Sequence, residues 1–210
     1  MREESFRPPV TLRGIRVRLV PLSLDYRDAL VHAARDPEMG RFLSRPPGQT
    51  ADSVGRYIGE ILQHRDEGTE LPFVVLLGPD DRVVGASRYL NIERENDSVE
   101  LGTWIDSSLW RSPVNTEVKF LLLRYAFEEQ GAHRVVLQTD LRNERSQRAI
   151  ARLGAVREGV MREDRVVHDG YRRSSVVYSI LADEWPGVRR RLERSLARPW
   201  VGDRPAASGP

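Results

Sequence analysis

Apolar positions along the chain fall into two spacings, and the alternation between them sets out the elements. Val17 to Pro21 alternates as a short strand after Gly14. Ser23-Leu24-Asp25 is placed to cap a helix running toward Ala34, which Asp36-Pro37 ends. Arg45-Pro46-Pro47-Gly48 marks a loop, and Thr50 then caps a second helix. Its Val54, Tyr57, Ile58, Ile61 and Leu62 recur at helical spacing and form one apolar stripe. Phe73 to Leu77 reads as a strand stopped by Gly78-Pro79-Asp80-Asp81, and Val83 to Leu90 resumes beyond that turn. Asn91 to Ser98 is polar and reads as a connection. Val99 to Ile105 alternates again, with Val99, Leu101, Thr103 and Ile105 on one side and Glu100, Gly102 and Trp104 on the other.

The second half continues as helix, strand, helix and two strands. Val118, Leu121, Leu122, Tyr125 and Ala126 make a helical stripe ending at Gly131, and Arg134 to Thr139 is a strand. Asn143 to Leu153 is a helix that turns Ala149, Ile150 and Leu153 inward and stops at Gly154. Val156 to Met161 and Ser175 to Leu181 are strands joined across Asp169-Gly170. This order predicts an α/β fold with one mixed sheet covered by helices. A short basic helix is expected around Arg189 to Leu196, followed by a frayed tail from Arg198.

Composition narrows the function. A chain of 210 residues that is 40% hydrophobic and 30% charged suits one compact domain. No apolar run is long enough to span a bilayer, and the start MREESFRPPV has no apolar segment of a secretory signal, so a soluble cytoplasmic protein is expected. The absence of cysteine removes disulfides, thiolate metal sites and a cysteine nucleophile. The four histidines lack ligand spacing, so no metal is expected. The net charge is only +2, and no basic stripe supports specific nucleic-acid binding. Lys119 is the only lysine; arginine carries the rest of the positive charge.

Candidate chemistry begins at Glu100, a carboxylate inside an otherwise apolar strand. Trp110-Arg-Ser-Pro-Val-Asn-Thr-Glu117 then leads directly into an apolar helix. A helix start has unpaired N–H groups and positive dipole character, so it suits a phosphate, with Ser112 and Thr116 adding hydroxyls. The same pattern also describes a capped surface helix. The segment contains no glycine and is neither a P-loop nor a dinucleotide fingerprint.

The ordered series of elements resembles the GNAT superfamily, and within it the branch of ribosomal-protein N-terminal acetyltransferases. The resemblance rests on Glu100-Leu-Gly-Thr-Trp-Ile-Asp106, Trp110 to Glu117, Tyr125-Ala-Phe-Glu-Glu-Gln-Gly131, Ala132-His-Arg-Val135, Asn143-Glu-Arg-Ser146, Leu153-Gly-Ala155, Asp169-Gly170-Tyr171 and Val177-Tyr-Ser-Ile180. It spans roughly Leu12 to Leu181. It implies a mostly antiparallel central sheet with a V-shaped splay between two central strands. It divides the chain into an N-terminal arm (1–11), the GNAT-like domain (12–182) and a basic C-terminal extension (183–210).

The resemblance also implies a donor, acetyl-CoA or another acyl-CoA, and direct attack by a primary amine on the bound thioester. Trp110 to Asn115 fall on the family's Q/R-x-x-G-x-G/A pyrophosphate loop, so Trp110, Arg111, Ser112, Val114, Asn115 and Thr116 are candidate donor-binding residues. The chain departs from the pattern at Trp110, at Pro113 in the first glycine position, and at Asn115. Proline removes one possible N–H donor, for which Arg111 offers a charged one. Glu100 matches the carboxylate that takes the amine proton; its other reading is a structural charge paired with arginine. Ser146 matches a hydroxyl that assists sulfur departure, or else caps its helix. Asn143 caps that helix or meets the pantetheine. The main-chain N–H of Trp104 or Ile105, at an irregularity in the strand, is the candidate donor to the thioester carbonyl. The implied acceptor is a small-molecule amine or a protein N-terminus, and the resemblance allows a homodimer. The alternative is an acyl-CoA-binding or regulatory protein of this fold with little transferase activity.

Overall fold

The computed structural model describes residues 1, 4–7 and 10–203. Its frame is one eight-stranded sheet in the order β1-β2-β3-β4-β5-β6-β8-β7. The strands are β1 (Leu12–Arg13), β2 (Val17–Pro21), β3 (Leu71–Leu77), β4 (Arg82–Glu93), β5 (Ser98–Ile105), β6 (Arg134–Asp140), β7 (Val156–Val166) and β8 (Arg172–Leu181). Every neighbouring pair is antiparallel except β5 and β6. Those two are parallel and joined through only three residue pairs, Ser98–Arg134, Val99–Val135 and Glu100–Val136. Beyond Glu100 the strands part, and the sheet opens as a V.

Alternation along the central strands feeds two apolar layers. Val75 and Val99 join the layer with α4 (Val114–Arg124), α5 (Glu144–Leu153) and α6 (Trp185–Leu196). Val74, Leu76 and Trp104 join the opposite layer, with α1 (Arg27–Ala33) and α3 (Ala51–Asp66). The C-terminal helix begins earlier than its basic stretch indicates, because Trp185, Val188 and Leu192 recur at helical spacing and enter the main core. The tail expected after it lies outside the described residues from residue 204 onward.

Several boundaries differ from the sequence reading. Ser23 does not cap the first helix: its hydroxyl turns to Asp25, and a 3₁₀ turn over Leu24–Tyr26 precedes α1. Asp36-Pro37 does more than end that helix, since the Asp36 carboxylate caps a further short helix, α2 (Pro37–Gly40). Asn91 to Ser98 is not a plain connection. Strand β4 runs on to Glu93 and carries one extra residue against β5, with Asn91 at φ +50°. Thr50 and Ser53 form the full reciprocal cap of α3. Gly154 ends α5 at φ +103°, a conformation that favours glycine. The stripe ending at Gly131 includes a π-helical turn over Tyr125–Glu129.

Candidate functional site

The V exposes backbone that a closed sheet would consume. The N–H of Asp106 donates to Val84 O at 2.8 Å, so residues of its parity in β5, including Trp104, direct their main chain toward β4. Thr103 and Ile105 direct theirs toward β6, which has already diverged. Of the two sequence candidates for a main-chain donor, the alternation turns the Ile105 N–H toward the open side and the Trp104 N–H toward β4, while both residues line the cleft. The β4–β5 ladder is regular from Glu100 to Ile105, so the irregularity expected in β5 sits instead in β4, at Asn91–Ile92. The Trp104 side chain is buried against α3, where its indole N–H donates to the Tyr57 hydroxyl at 3.2 Å.

The start of α4 faces the mouth of the V. Its first intrahelical bond runs from the Glu117 N–H to Pro113 O at 2.9 Å. Ser112 Oγ accepts from the Val114 N–H at 3.3 Å. Among the described residues, the N–H groups of Asn115 and Thr116 have no protein acceptor. Val114 itself does not reach the cleft, because its apolar side chain is buried in the layer under the sheet. Trp110 anchors the loop: its indole N–H donates to Ile105 O at 3.2 Å, and the Arg145 guanidinium lies 3.2 Å from its ring centroid. Arg111 holds φ +69°, and its exposed side chain lines the same opening. Burial first lowers the Arg145 pKa, the positive charge of Arg111 adds to that, and Glu38 and Asp36 oppose it.

Glu100 occupies the apex of the V and is 8% exposed. Its Oε2 accepts from Asn91 Nδ2 at 2.8 Å and from Gln138 Nε2 at 3.3 Å. Burial raises its pKa, while the Asn91 hydrogen bond and then Arg165, Arg173 and Arg88 draw it back down. Gln138 accepts in turn from Arg165 at 3.0 Å, so the carboxylate is held by amides rather than by a direct ion pair. On the opposite arm, Asn143 Oδ1 accepts from the Ser146 N–H at 3.1 Å and so caps α5. The Ser146 hydroxyl is half-buried and has no protein partner among the described residues.

These groups line one cleft of about 1460 Å³. It brings together Glu100, Trp104, Ile105, Trp110, Arg111, Ser112, Asn115, Thr116, Asn143 and Ser146. It also collects Arg165 and Arg173, from a region whose arginines suit acidic groups, and three residues that the sequence reading left aside: Asn91, Gln138 and Lys119. The signal that could have found Gln138 is its amide in a strand otherwise rich in Val and Leu. Asn91 was hidden by the bulge that turns it inward.

The GNAT acetyltransferase domain matches residues 16–156. The chain belongs to this family. A structure from T. thermophilus, described provisionally as an acetyltransferase, is 44% identical, with 90% of this chain and 98% of that chain covered at a TM-score of 0.83. A GCN5-related N-acetyltransferase from Brucella melitensis is 27% identical, with 94% and 91% covered and a TM-score of 0.82. YdaF of Bacillus subtilis (strain 168), provisionally named a ribosomal N-acetyltransferase, is 32% identical over 110 residues, 52% of this chain. That match spans 60% of the relative's length. RimJ of Mycobacterium smegmatis, solved with a CoA-disulfide, shares the fold at 22% identity and a TM-score of 0.78, with 92% of this chain and 98% of that chain covered. Among the described residues, no group of three or more His, Cys, Asp or Glu could hold a metal ion, and no helix is long and apolar enough to cross a membrane.

Proposed function

We propose that the chain transfers an acyl group, acetyl foremost, from acyl-CoA to a primary amine by direct attack with both substrates bound. The observation that carries this reading is the V itself. It places unpaired N–H groups at a helix start and a buried carboxylate at the two ends of one cleft.

The donor site fits a diphosphate on chemical grounds. The free N–H groups of Asn115 and Thr116 and the positive end of α4 meet an anion, and Arg111 and Arg145 supply charge where Pro113 supplies no N–H. An anion between those two arginines would relieve their mutual repulsion. The open edge of β5 and β6 offers main-chain partners to an amide-bearing pantetheine arm. The bound donor supplies an activated acyl thioester. The Ile105 N–H is directed to where negative charge develops on its carbonyl oxygen.

An alkylammonium is mostly protonated at neutral pH and cannot attack. Glu100 removes that proton, directly or through water, and Asn91 and Gln138 fix the carboxylate for the task. Its raised pKa strengthens it as a base. The Ser146 hydroxyl, unengaged in the protein, donates to the departing sulfur. The acceptor is a small-molecule amine or a protein N-terminus, the second being favoured by the name of the ribosomal relative.

Isothermal calorimetry with acetyl-CoA, followed by turnover across an amine panel, tests the reading. Donor uptake with amine-dependent CoA release is expected; no uptake overturns it. Pro113 favours one second reading, a donor-binding protein without transferase activity, which uptake without turnover would support.

A further inference from the structure

Lys119, the chain's only lysine, lies in the second turn of α4 and is only 6% exposed. Its side chain lines the cleft together with Glu100, Asn115, Thr116 and Ser146, while its neighbours Val118, Leu121 and Leu122 pack into the core. Among the described residues its amine has neither a hydrogen bond nor an ion pair. With no protein group to meet, the amine is left to solvent or a ligand in the cleft. Burial lowers its pKa to about 7; Glu100, on β5, is the one titratable group that acts on it, and it opposes that shift. An ordinary exposed lysine is almost entirely protonated at neutral pH. This amine therefore presents a large share of the form that can attack a carbonyl.

Resting on the donor site proposed above, we propose that Lys119 is an internal acyl acceptor, so that the chain acylates itself when donor is bound and no external amine is present. The lone pair of Nζ forms the new bond to the thioester carbonyl carbon, and the carbon–sulfur bond breaks with its electron pair going to sulfur. The proton released from Nζ ends on that sulfur, through water or Glu100. The products are an amide on Lys119 and free CoA thiol, with no further reactant. The acylated side chain is uncharged and longer, and it fills space beside Glu100 that an external amine would use. Donor excess thereby slows the chain's own turnover.

The test is intact-mass and peptide mass spectrometry on the full chain after incubation with acetyl-CoA alone. One acetyl group per chain is expected, mapped to the peptide containing Lys119 and absent in Lys119→Met and Lys119→Arg. Its rate should rise about tenfold between pH 6 and pH 8, following the neutral fraction of an amine with a pKa of about 7. Equal labelling of urea-denatured chain, or labelling confined to the N-terminal amine, overturns the proposal. Calorimetric uptake and transfer to external amines without Lys119 labelling overturns it while leaving the transferase reading intact. Absence of donor uptake removes both.

Discussion

Glu117 and Lys119 stand two residues apart on the same helix, both buried, and the structure treats them in opposite ways. The Glu117 carboxylate, 2% exposed, accepts from the Arg16 N–H at 2.8 Å and the Val17 N–H at 3.4 Å, and pairs with the Arg16 guanidinium at 3.2 Å. Even the backbone around it is cut to fit. A Cβ on Gly14 would lie 2.2 Å from Glu117 Oε1. Lys119 has none of this. A buried charge that serves the fold is surrounded by fixed partners, whereas one left without partners faces the space where a ligand would sit. The contrast separates scaffold from candidate chemistry on one element.

The largest effect should come from breaking the satisfied charge. Glu117→Leu removes the carboxylate from the Arg16 guanidinium and from the Arg16 and Val17 main-chain N–H groups, and urea denaturation should show a loss of about 3–5 kcal/mol. Glu100→Gln, at the apex of the V, should lower kcat about 100-fold or more with its fold intact. In the parent protein, kcat/KM should fall on the acid side at a pH above the usual carboxylate range, since the proposed base must be ionised and the Glu100 pKa is raised. A flat acid profile would remove the base role.

Lys119→Met should act in the opposite direction to Glu117→Leu and stabilise the chain. The folded-state pKa of about 7 lies below the ordinary 10.5. Below about pH 7 both folded and unfolded chains carry the proton and the burial penalty is fully present. Between about 7 and 10.5 the unfolded chain binds more protons, so stability rises with pH. The gain in Tm from Lys119→Met should thus be greatest below pH 7 and shrink through that window; about 2–4 °C would correspond to about 1 kcal/mol in a chain of this size. The smallest effect contrasts two helix starts. Thr50→Ala opens the closed cap of α3 and should cost about 1 kcal/mol. Ser112→Ala at the open start of α4 should weaken donor affinity in calorimetry with less effect on stability.

The sheet and most helices were legible because periodicity reports which side of an element is buried. Thr50, Gly131 and Gly154 marked helix ends through local chemistry that tertiary packing did not override. Ser23 failed as a cap because Asp25, two residues on, competes for its hydroxyl. The cleft was legible only along its linear parts. Glu100, Asn115 and Ser146 sit on recognisable segments, but Asn91 and Gln138 meet Glu100 from two other strands. Lys119 read as one more residue of an amphipathic helix, since no pattern in one dimension reveals that the sheet above it is split. Nor could alternation alone choose between Trp104 and Ile105 until the Asp106 bond to Val84 fixed which edge faced β4.

The shortness of the β5–β6 seam also governs when this molecule can begin to work. Strand β6 shares three residue pairs with β5 but seven with β8, so the final hairpin braces one arm of the V. A fragment ending at residue 156, where the family match stops, would lose that brace together with Val176 and Ile180 of the core. On the ribosome the nascent chain would brace this arm of the V only once β8 had emerged, well after the segments that carry Glu100 and Ser146.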